Sequence, residues 1–225
     1  MTTTLQGPVD AVFFDLDGTL VDSAPDLSGA ANDLRAEHGL RPMPDDELRC
    51  MVGSGARGMV GLAFGKKPGD DGYEALRLRF LALYEARILR SSVVFDGVWH
   101  VLDGLERGGL RWGIVTNKAH HLAVQLTTGL GLHARAGTLV GGDTTPYPKP
   151  HPAPLLEAAR RVQVDPARCI YVGDDHRDVQ AGRAAGMRTI AAAWGYLGQG
   201  EPVHAWGADI VIDHPAALLQ CLAMP

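Results

Sequence analysis

The sequence VFFDLDGTL, at residues 12–20, decides the fold. An apolar run ends in two carboxylates, Asp15 and Asp17, and Gly18 follows them. Ligands of open α/β sheets bind at the carboxyl ends of the strands, where these acids would lie if the run is a first buried strand. The two side chains would share a face if the strand continued, and Gly18 lets the chain turn sharply. Because close carboxylates repel unless a cation or a shared proton intervenes, the stretch predicts a ligand or cation site.

Short apolar runs recur along the chain and alternate with amphipathic stretches. Continuous apolar runs are typical of strands that are buried on both faces of a parallel sheet. The runs are Val9–Phe14, Trp112–Thr116, Thr138–Gly142, Cys169–Val172, Arg188–Ala193 and Ala208–Ile212. Helical spacing marks Phe95–Arg107, Pro152–Val162 and Asp178–Ala185 between them. We therefore predict an α/β fold with a doubly wound, Rossmann-like parallel sheet.

The segment 23–91 interrupts this alternation, because it contains helix signals in succession and no convincing strand. Its first helix is predicted at Ser23-Ala-Pro-Asp26, with the Ser23 hydroxyl as N-cap, proline in the first turn and an acid at N3. We predict an inserted helical subdomain, with residues 1–22 and 92–225 forming the sheet domain. Candidate linkers are Val21–Pro25 and Leu89–Phe95.

Composition excludes several classes of protein. The 225 residues are 46% hydrophobic and 21% charged, as in an ordinary globular protein, and the formal net charge is -5. We expect no nucleic-acid partner, since no basic run is present, and no membrane partner, since no apolar run is long enough to span one. Met1–Asp10 has no basic region typical of a leader, so we expect a cytoplasmic protein. Cys50, Cys169 and Cys221 are expected to be core thiols.

Further polar residues follow the later strands. Thr116 and Asn117 end one run, where they would bind phosphate oxygens or simply cap a helix. Lys149 lies in a proline-rich loop that would hold its ammonium in place, although a solitary lysine is usually solvated. The sequence GDDHRD, at residues 173–178, places several acids after a third strand, and hard oxygen ligands of this kind suit Mg²⁺.

The order of these motifs, DLDGTL, then strand-Thr-Asn, then Lys-Pro, then GDDHRD, resembles the haloacid dehalogenase superfamily, specifically its Mg²⁺-dependent phosphatases. The resemblance covers residues 9–213 and implies a helical cap inserted after the first motif. Dehalogenases of the superfamily lack the second acid, whereas Asp17 is present here.

The resemblance implies a role for each motif residue. Asp15 would be the nucleophile that forms an aspartyl-phosphate, and Asp17 would be the general acid and then the general base. Thr116 would hydrogen-bond the phosphoryl group with Asn117 beside it, and Lys149 would neutralise charge on the nucleophile and the phosphoryl oxygens. Backbone amides around Leu16, Gly18 and Asn117 would complete the phosphate cradle.

The same resemblance implies a metal site. Mg²⁺ would be held by Asp15, Asp174 and the backbone carbonyl of Asp17. Asp178 would bind Lys149 or a metal-bound water. Two roles stay open for Asp175: a member of the metal shell, or a charge at a helix N-terminus.

The substrate is less clear from the sequence. The glycine-rich turn VGSGAR, at residues 52–57, corresponds to a cap element of phosphoglycolate phosphatases, and Arg57 either meets a substrate carboxylate or is an exposed helix-terminal residue. Within that group, the sequences at 55–60, 112–118, 173–178 and 206–214 are most similar to the N-acetylmuramic acid 6-phosphate phosphatases. We expect a small phosphorylated substrate that carries a carboxylate, either 2-phosphoglycolate or N-acetylmuramic acid 6-phosphate, and a monomer or dimer. A β-phosphoglucomutase-like sugar phosphomutase is the alternative. His176, Trp194 and Tyr196 receive no role.

Overall fold

A computed structural model describes residues 4–5 and 7–222 of the chain. Six parallel strands form the main sheet. They are β1 (Ala11–Phe14), β4 (Arg111–Val115), β5 (Leu139–Val140), β6 (Cys169–Gly173), β7 (Arg188–Ala192) and β8 (Ile210–Ile212). These six elements confirm the strands and the parallel sheet that the apolar runs predict.

The strand order in the sheet is β5-β4-β1-β6-β7-β8. The chain moves from β1 through β4 to the β5 edge and then returns to the other side of β1. This is the doubly wound order, and its direction reverses between β1 and β6. In doubly wound sheets the ligand-binding crevice lies at such a point, where the two strands end.

Both faces of the sheet are covered by apolar contacts. Along β1, Val12 and Phe14 pack into one core cluster, whereas Ala11 and Phe13 pack into another on the opposite face. The helices that follow the strands are α5 (Val98–Arg107), α6 (His120–Gly129), α7 (Ala153–Arg161), α8 (His176–Ala184) and α9 (Ala217–Cys221). Burial on both faces explains why the strands are apolar throughout instead of alternating.

Two further strands, β2 (Val21–Asp22) and β3 (Val93–Val94), form an antiparallel pair at the candidate linkers. Four helices lie between them in the chain. They are α1 (Ala24–Glu37), α2 (Asp45–Arg49), α3 (Gly55–Phe64) and α4 (Tyr73–Glu85). The ribbon of β2 and β3 thus brings together the two points where the chain leaves and rejoins the sheet.

Two local expectations are wrong. The hydroxyl of Ser23 does not cap α1, and its backbone has helical angles of φ -100° and ψ -1°. Cys169 and Cys221 are buried as expected, but Cys50 is only partly buried. None of the helices in the described part of the chain is both long and apolar enough to cross a membrane.

Candidate active site

The polar motifs meet at the carboxyl edge of the main sheet. Asp15 directly follows β1, Thr116 follows β4 and Asp174 follows β6. Because β4 and β6 are the two neighbours of β1, the ends of all three strands are adjacent. Residues that are far apart in the sequence therefore surround one crevice at the point where the winding reverses.

Lys149 is a buried cation of this crevice. Its Nζ lies 2.9 Å from Asp15 Oδ1 and 2.7 Å from Asp178 Oδ1. It also donates to the Tyr171 hydroxyl at 2.7 Å and to the Val115 carbonyl at 3.2 Å. Burial acts to lower the pKa of Lys149, but the Asp15 and Asp178 carboxylates outweigh it, so the pKa is raised and the ammonium stays charged.

Three carboxylates form a cluster beside Lys149. Oxygens of Asp15, Asp174 and Asp178 lie within 4.8 Å of one another. Asp174 is buried, its Oδ1 accepts from Thr19 Oγ1 at 2.9 Å, and its Oδ2 accepts from the Tyr196 amide at 2.8 Å. Burial first, and then the charges of Asp15 and Asp178, raise the pKa of Asp174 well above its usual range.

This donor set fits a divalent cation. One ammonium faces three carboxylates, so their full ionisation needs further positive charge in the cluster. Carboxylate oxygens are the ligands that Mg²⁺ prefers. The cluster contains Asp15 and Asp174, which the resemblance implies as metal ligands, together with Asp178. The side chain of Asp17 is outside it, which leaves only the Asp17 carbonyl for the expected metal contact.

Gly18 is required by the close approach of the Asp174 side chain. Its φ is +89°, and a Cβ built on it would lie 2.1 Å from Asp174 Oδ2. The Gly18 amide donates to the Val21 carbonyl at 2.9 Å. The expectation that the Gly18 amide helps to form the phosphate cradle stays a prediction, and in this structure that amide is bonded to Val21.

Asp17 is held by two residues to which the sequence analysis gave no contact. Lys118 Nζ lies 2.8 Å from Asp17 Oδ2 and 2.9 Å from Oδ1, and Ser23 Oγ donates to Oδ1 at 2.5 Å. Lys118 is nearly buried, with its Nζ 4.6 Å from the centre of the Tyr84 ring in α4. Burial acts to lower the pKa of Lys118, but the Asp17 charge outweighs it and raises the pKa. The position of Lys118, two residues beyond Thr116 at the same strand end, was the available signal for it.

Thr116 and Asn117 have different environments. Thr116 is buried, and its Oγ1 accepts from the Lys118 amide at 3.2 Å, which leaves its hydroxyl proton free to donate. The Asn117 amide group donates to the Lys149 carbonyl and accepts from the Lys149 amide, both at 2.9 Å. The side chain of Asn117 thus fixes the loop that carries Lys149, and its expected place beside the phosphoryl group stays a prediction.

Asp175 and Asp178 together cap α8. The Asp175 side chain accepts from the Arg177 amide at 2.9 Å, and Asp178 Oδ2 accepts from the Asp175 amide at 3.0 Å. Of the two roles left open for Asp175, the structure shows the helix-terminal one.

His176, at the start of the helix, stacks on Trp206 with ring centres 6.1 Å apart. Trp194 donates from Nε1 to the Thr19 carbonyl at 3.1 Å.

A cavity of about 380 Å³ extends from Asp15 and Asp17 to the helical segment. Arg77 and Arg177 line it, with apolar side chains of α1, α4 and α6. The apolar lining residues of these helices are Leu27, Phe80, Leu81 and Leu122. Arg57 is not among the residues that line the cavity; with Lys66 and Lys67 it lines a neighbouring groove, which shares Ser54 and Arg177 with the cavity. Arg77 and Arg177 are thus the arginines that line the cavity, and a contact of Arg57 with the substrate stays a prediction.

Residues 12–192 match the model of the haloacid dehalogenase-like hydrolase family. The chain is 46% identical to a phosphoglycolate phosphatase of Xanthomonas campestris pv. campestris strain 8004, over 96% of this chain and 97% of that one. It is 43% identical to an N-acetylmuramic acid 6-phosphate phosphatase of Pseudomonas putida, over 92% of this chain and 93% of that one. The crystal structure of a predicted phosphoglycolate phosphatase from Haemophilus somnus superposes with a TM-score of 0.84 at 26% identity, covering 94% and 97% of the two chains.

Proposed function

Since the chain belongs to the haloacid dehalogenase-like hydrolase family and is a phosphatase of that type, we propose that it hydrolyses phosphomonoesters with Mg²⁺ through an aspartyl-phosphate. The observation that supports this proposal most strongly is the convergence of Asp15, Lys149 and Asp174 beside one cavity. The substrate we propose is a small phosphorylated metabolite that carries a carboxylate.

In the first step, an Asp15 carboxylate oxygen attacks phosphorus while the bond from phosphorus to the leaving oxygen breaks. Protonated Asp17 gives its proton to the leaving oxygen, so the product departs as an alcohol. Thr116 donates a hydrogen bond to a phosphoryl oxygen, and the Lys149 ammonium offsets the negative charge that collects there. The unused hydroxyl proton of Thr116 and the ion pair of Lys149 with Asp15 support these roles.

In the second step, water attacks the phosphorus of the aspartyl-phosphate and the bond to the Asp15 oxygen breaks. Asp17, now a carboxylate, takes the proton of that water. Lys118, with its Nζ 2.8 Å from Asp17 Oδ2, supports this role by holding the carboxylate in place. The products are inorganic phosphate and the original Asp15 carboxylate, so the chain is ready for another turnover.

The proposed Mg²⁺ would be held by Asp15 and Asp174, with Asp178 close to it. When bound, it would supply positive charge that offsets the repulsion between the Asp15 carboxylate and the phosphate. Asp178 holds Lys149 directly, so its contribution to the metal would pass through water.

We propose the division into a sheet domain, residues 1–22 and 92–225, and a helical cap, residues 23–91. Within these ranges, residues 1–3, 6 and 223–225 lie outside those that the structure describes. The contribution of Leu27, Phe80 and Tyr84 to the cavity wall supports the cap. These side chains would exclude bulk water from the phosphoryl group.

The charged side chains that line the cavity support a carboxylate-bearing substrate. Among the described residues that line it, Asp15 and Asp17 are the only carboxylates, whereas Arg77 and Arg177 supply guanidinium groups. Its volume of about 380 Å³ and its apolar walls favour N-acetylmuramic acid 6-phosphate over the much smaller 2-phosphoglycolate.

The test is phosphate release from these two substrates, side by side, with and without Mg²⁺. Asp15→Asn keeps the shape of the side chain and removes the nucleophile, so it is the matched control. We expect Mg²⁺-dependent release with the higher kcat/KM for N-acetylmuramic acid 6-phosphate, and none from Asp15→Asn.

Each part of the proposal has its own contrary outcome. No metal-dependent release from any phosphomonoester would overturn the chemistry. Release from 2-phosphoglycolate with the higher kcat/KM would overturn the substrate preference alone. An isomerised sugar phosphate without free phosphate would favour the phosphomutase.

A further inference from the structure

Tyr196 connects the proposed metal site with the start of α1. Its backbone amide donates to Asp174 Oδ2 at 2.8 Å, and its ring is buried. Its hydroxyl accepts from the amides of Ser23 and Ala24, at 2.9 and 3.0 Å, and donates to Asp22 Oδ1 at 3.0 Å. One donor and two acceptor positions are all that a phenol hydroxyl has, so this group is fully used.

This arrangement explains why Ser23 does not cap its own helix. A serine N-cap ordinarily has extended backbone angles, and its side-chain oxygen then accepts from an amide in the first turn. Ser23 has φ -100° and ψ -1°, and its amide and the next are held by Tyr196. Its hydroxyl points instead to Asp17 and donates to Oδ1 at 2.5 Å.

Asp22 keeps Tyr196 in this position from the other side. Its carboxylate binds the Arg49 guanidinium through both oxygens, at 3.0 and 3.1 Å, and the same guanidinium lies 5.0 Å from the centre of the Tyr196 ring. The phenol is therefore fixed at its hydroxyl, its ring and its backbone amide. A group held so rigidly can set the backbone of Ser23 accurately.

We propose that Tyr196 is a positioning residue for Asp17: its hydroxyl holds Ser23 in the conformation in which the Ser23 hydroxyl orients the Asp17 carboxyl. The inference rests on the proposed function, in which Asp17 protonates the leaving group. Tyr196 touches neither the substrate nor the reacting atoms in this account.

The test uses Tyr196→Phe, which removes the hydroxyl and keeps the ring and the backbone amide on Asp174. We expect the freed Ser23 to take extended angles and cap α1, leaving Asp17. Turnover of N-acetylmuramic acid 6-phosphate, whose alkoxide must be protonated, should fall by about 10- to 100-fold in kcat. The first step with 2,4-dinitrophenyl phosphate, followed as the burst of dinitrophenolate, should slow by less than about 2-fold, because its leaving phenolate needs no proton.

A double-mutant cycle separates this role from a general loss of structure. Ser23→Ala should reproduce the selective loss, and Tyr196→Phe/Ser23→Ala should lose no more than either single variant. Tyr147→Phe is the matched control, since Tyr147 is an exposed tyrosine. It should leave the rates with both substrates unchanged. The Mg²⁺ concentration for half-maximal rate should stay the same, because the amide that holds Asp174 is intact.

Equal losses in the first step for the two substrates would overturn the inference, as would additive losses or a changed Mg²⁺ requirement. A crystal structure of Tyr196→Phe gives a readout without activity: a Ser23 hydroxyl still on Asp17 would also overturn it. Failure of the proposed function is distinguishable, since it would show in the wild-type chain as an absence of phosphate release from either ester.

Discussion

At Gly18 the backbone has a φ of +89°, and the space beside it is filled by the Asp174 carboxylate. A side chain there would meet two separate obstacles, the unfavourable backbone region and the clash with Asp174. Gly195 faces the same carboxylate from another side, where a Cβ would lie 2.2 Å from the Asp174 Cβ. The Asp174 side chain therefore occupies space that a Cβ at Gly18 or Gly195 would fill.

Gly18→Ala should raise the Mg²⁺ concentration for half-maximal phosphate release by about 10- to 100-fold, because the added methyl group displaces Asp174. Gly69→Ala is the control, with a φ of +95° and no atom within 4 Å of the added Cβ. It should cost only about 1–2 kcal/mol of stability through its backbone, with an unchanged Mg²⁺ requirement. Equal Mg²⁺ requirements for the two variants would contradict the assignment of Asp174 to the metal.

Asp174→Asn should abolish the increase in Tm that Mg²⁺ gives, while the metal-free variant should be at least as stable as the metal-free wild type. The reason is that burial and the neighbouring carboxylates already raise the pKa of Asp174, so an uncharged isostere removes a repulsion. A metal at 100 times its Kd adds about 2.7 kcal/mol to the wild type, which thermal unfolding with and without Mg²⁺ detects.

Asp175→Ala is the control for this comparison. It removes the N-cap of α8 and should cost about 1 kcal/mol, yet it should keep the response to Mg²⁺. A response to Mg²⁺ that survives in Asp174→Asn would place the metal elsewhere.

At the scale of elements, α1 and β3 are joined by one buried carboxylate. Asp26, in the first turn of α1, is fully buried and accepts from the amides of Ser91 and Ser92 at 3.0 and 2.8 Å. It also accepts from the Ser92 hydroxyl at 2.7 Å. The two ends of the helical segment are thus tied together next to the β2 and β3 ribbon.

Asp26→Ala should lower the free energy of unfolding by about 3 kcal/mol, because it leaves buried donors without an acceptor. Asp33→Ala is the matched control on the same helix, since Asp33 is half-exposed and pairs only with Arg87 among the described residues. It should cost less than about 1 kcal/mol. Urea unfolding of both variants measures the difference, and similar midpoints would show that Asp26 is not the tie between these elements.

Over the whole molecule, Arg177 bridges the sheet and the helical segment. Its Nε and Nη2 bind Asp175 at 2.7 Å, and Nη2 also donates to the Gly53 carbonyl at 2.5 Å. Gly53 belongs to the turn between α2 and α3 that lines the cavity. One guanidinium therefore holds the turn against the strand end that carries Asp174.

Arg177→Met should raise KM for N-acetylmuramic acid 6-phosphate by about 10-fold, because the turn is released and a guanidinium is lost from the cavity. Arg57→Met, in the neighbouring groove, should leave KM within about 2-fold of the wild type. Steady-state kinetics of the two variants measure both KM values and show which arginine contacts the substrate. A larger effect of Arg57→Met would return the substrate contact to the residue that the sequence favours.

The sequence by itself was sufficient for the sheet and for much of the candidate site. Uninterrupted apolar runs can satisfy burial on both faces only as strands of a covered parallel sheet, so all six strands were predictable. Asp15, Thr116 and Asp174 each follow such a run directly, and the ends of neighbouring parallel strands must meet. Their convergence needs only local pattern and chain direction.

Only the tertiary structure decided which residues hold these groups in place. Lys118 reaches Asp17 across 101 residues of sequence, Arg177 reaches Gly53 across 124, and Tyr196 reaches Ser23 across 173. Ser23 looks like an ordinary helix cap in the sequence, and it is the distant phenol that turns its hydroxyl to Asp17. Local pattern determines where a strand or helix forms, but a side-chain contact depends on which chain segments pack together, and that is fixed only when the whole chain has folded.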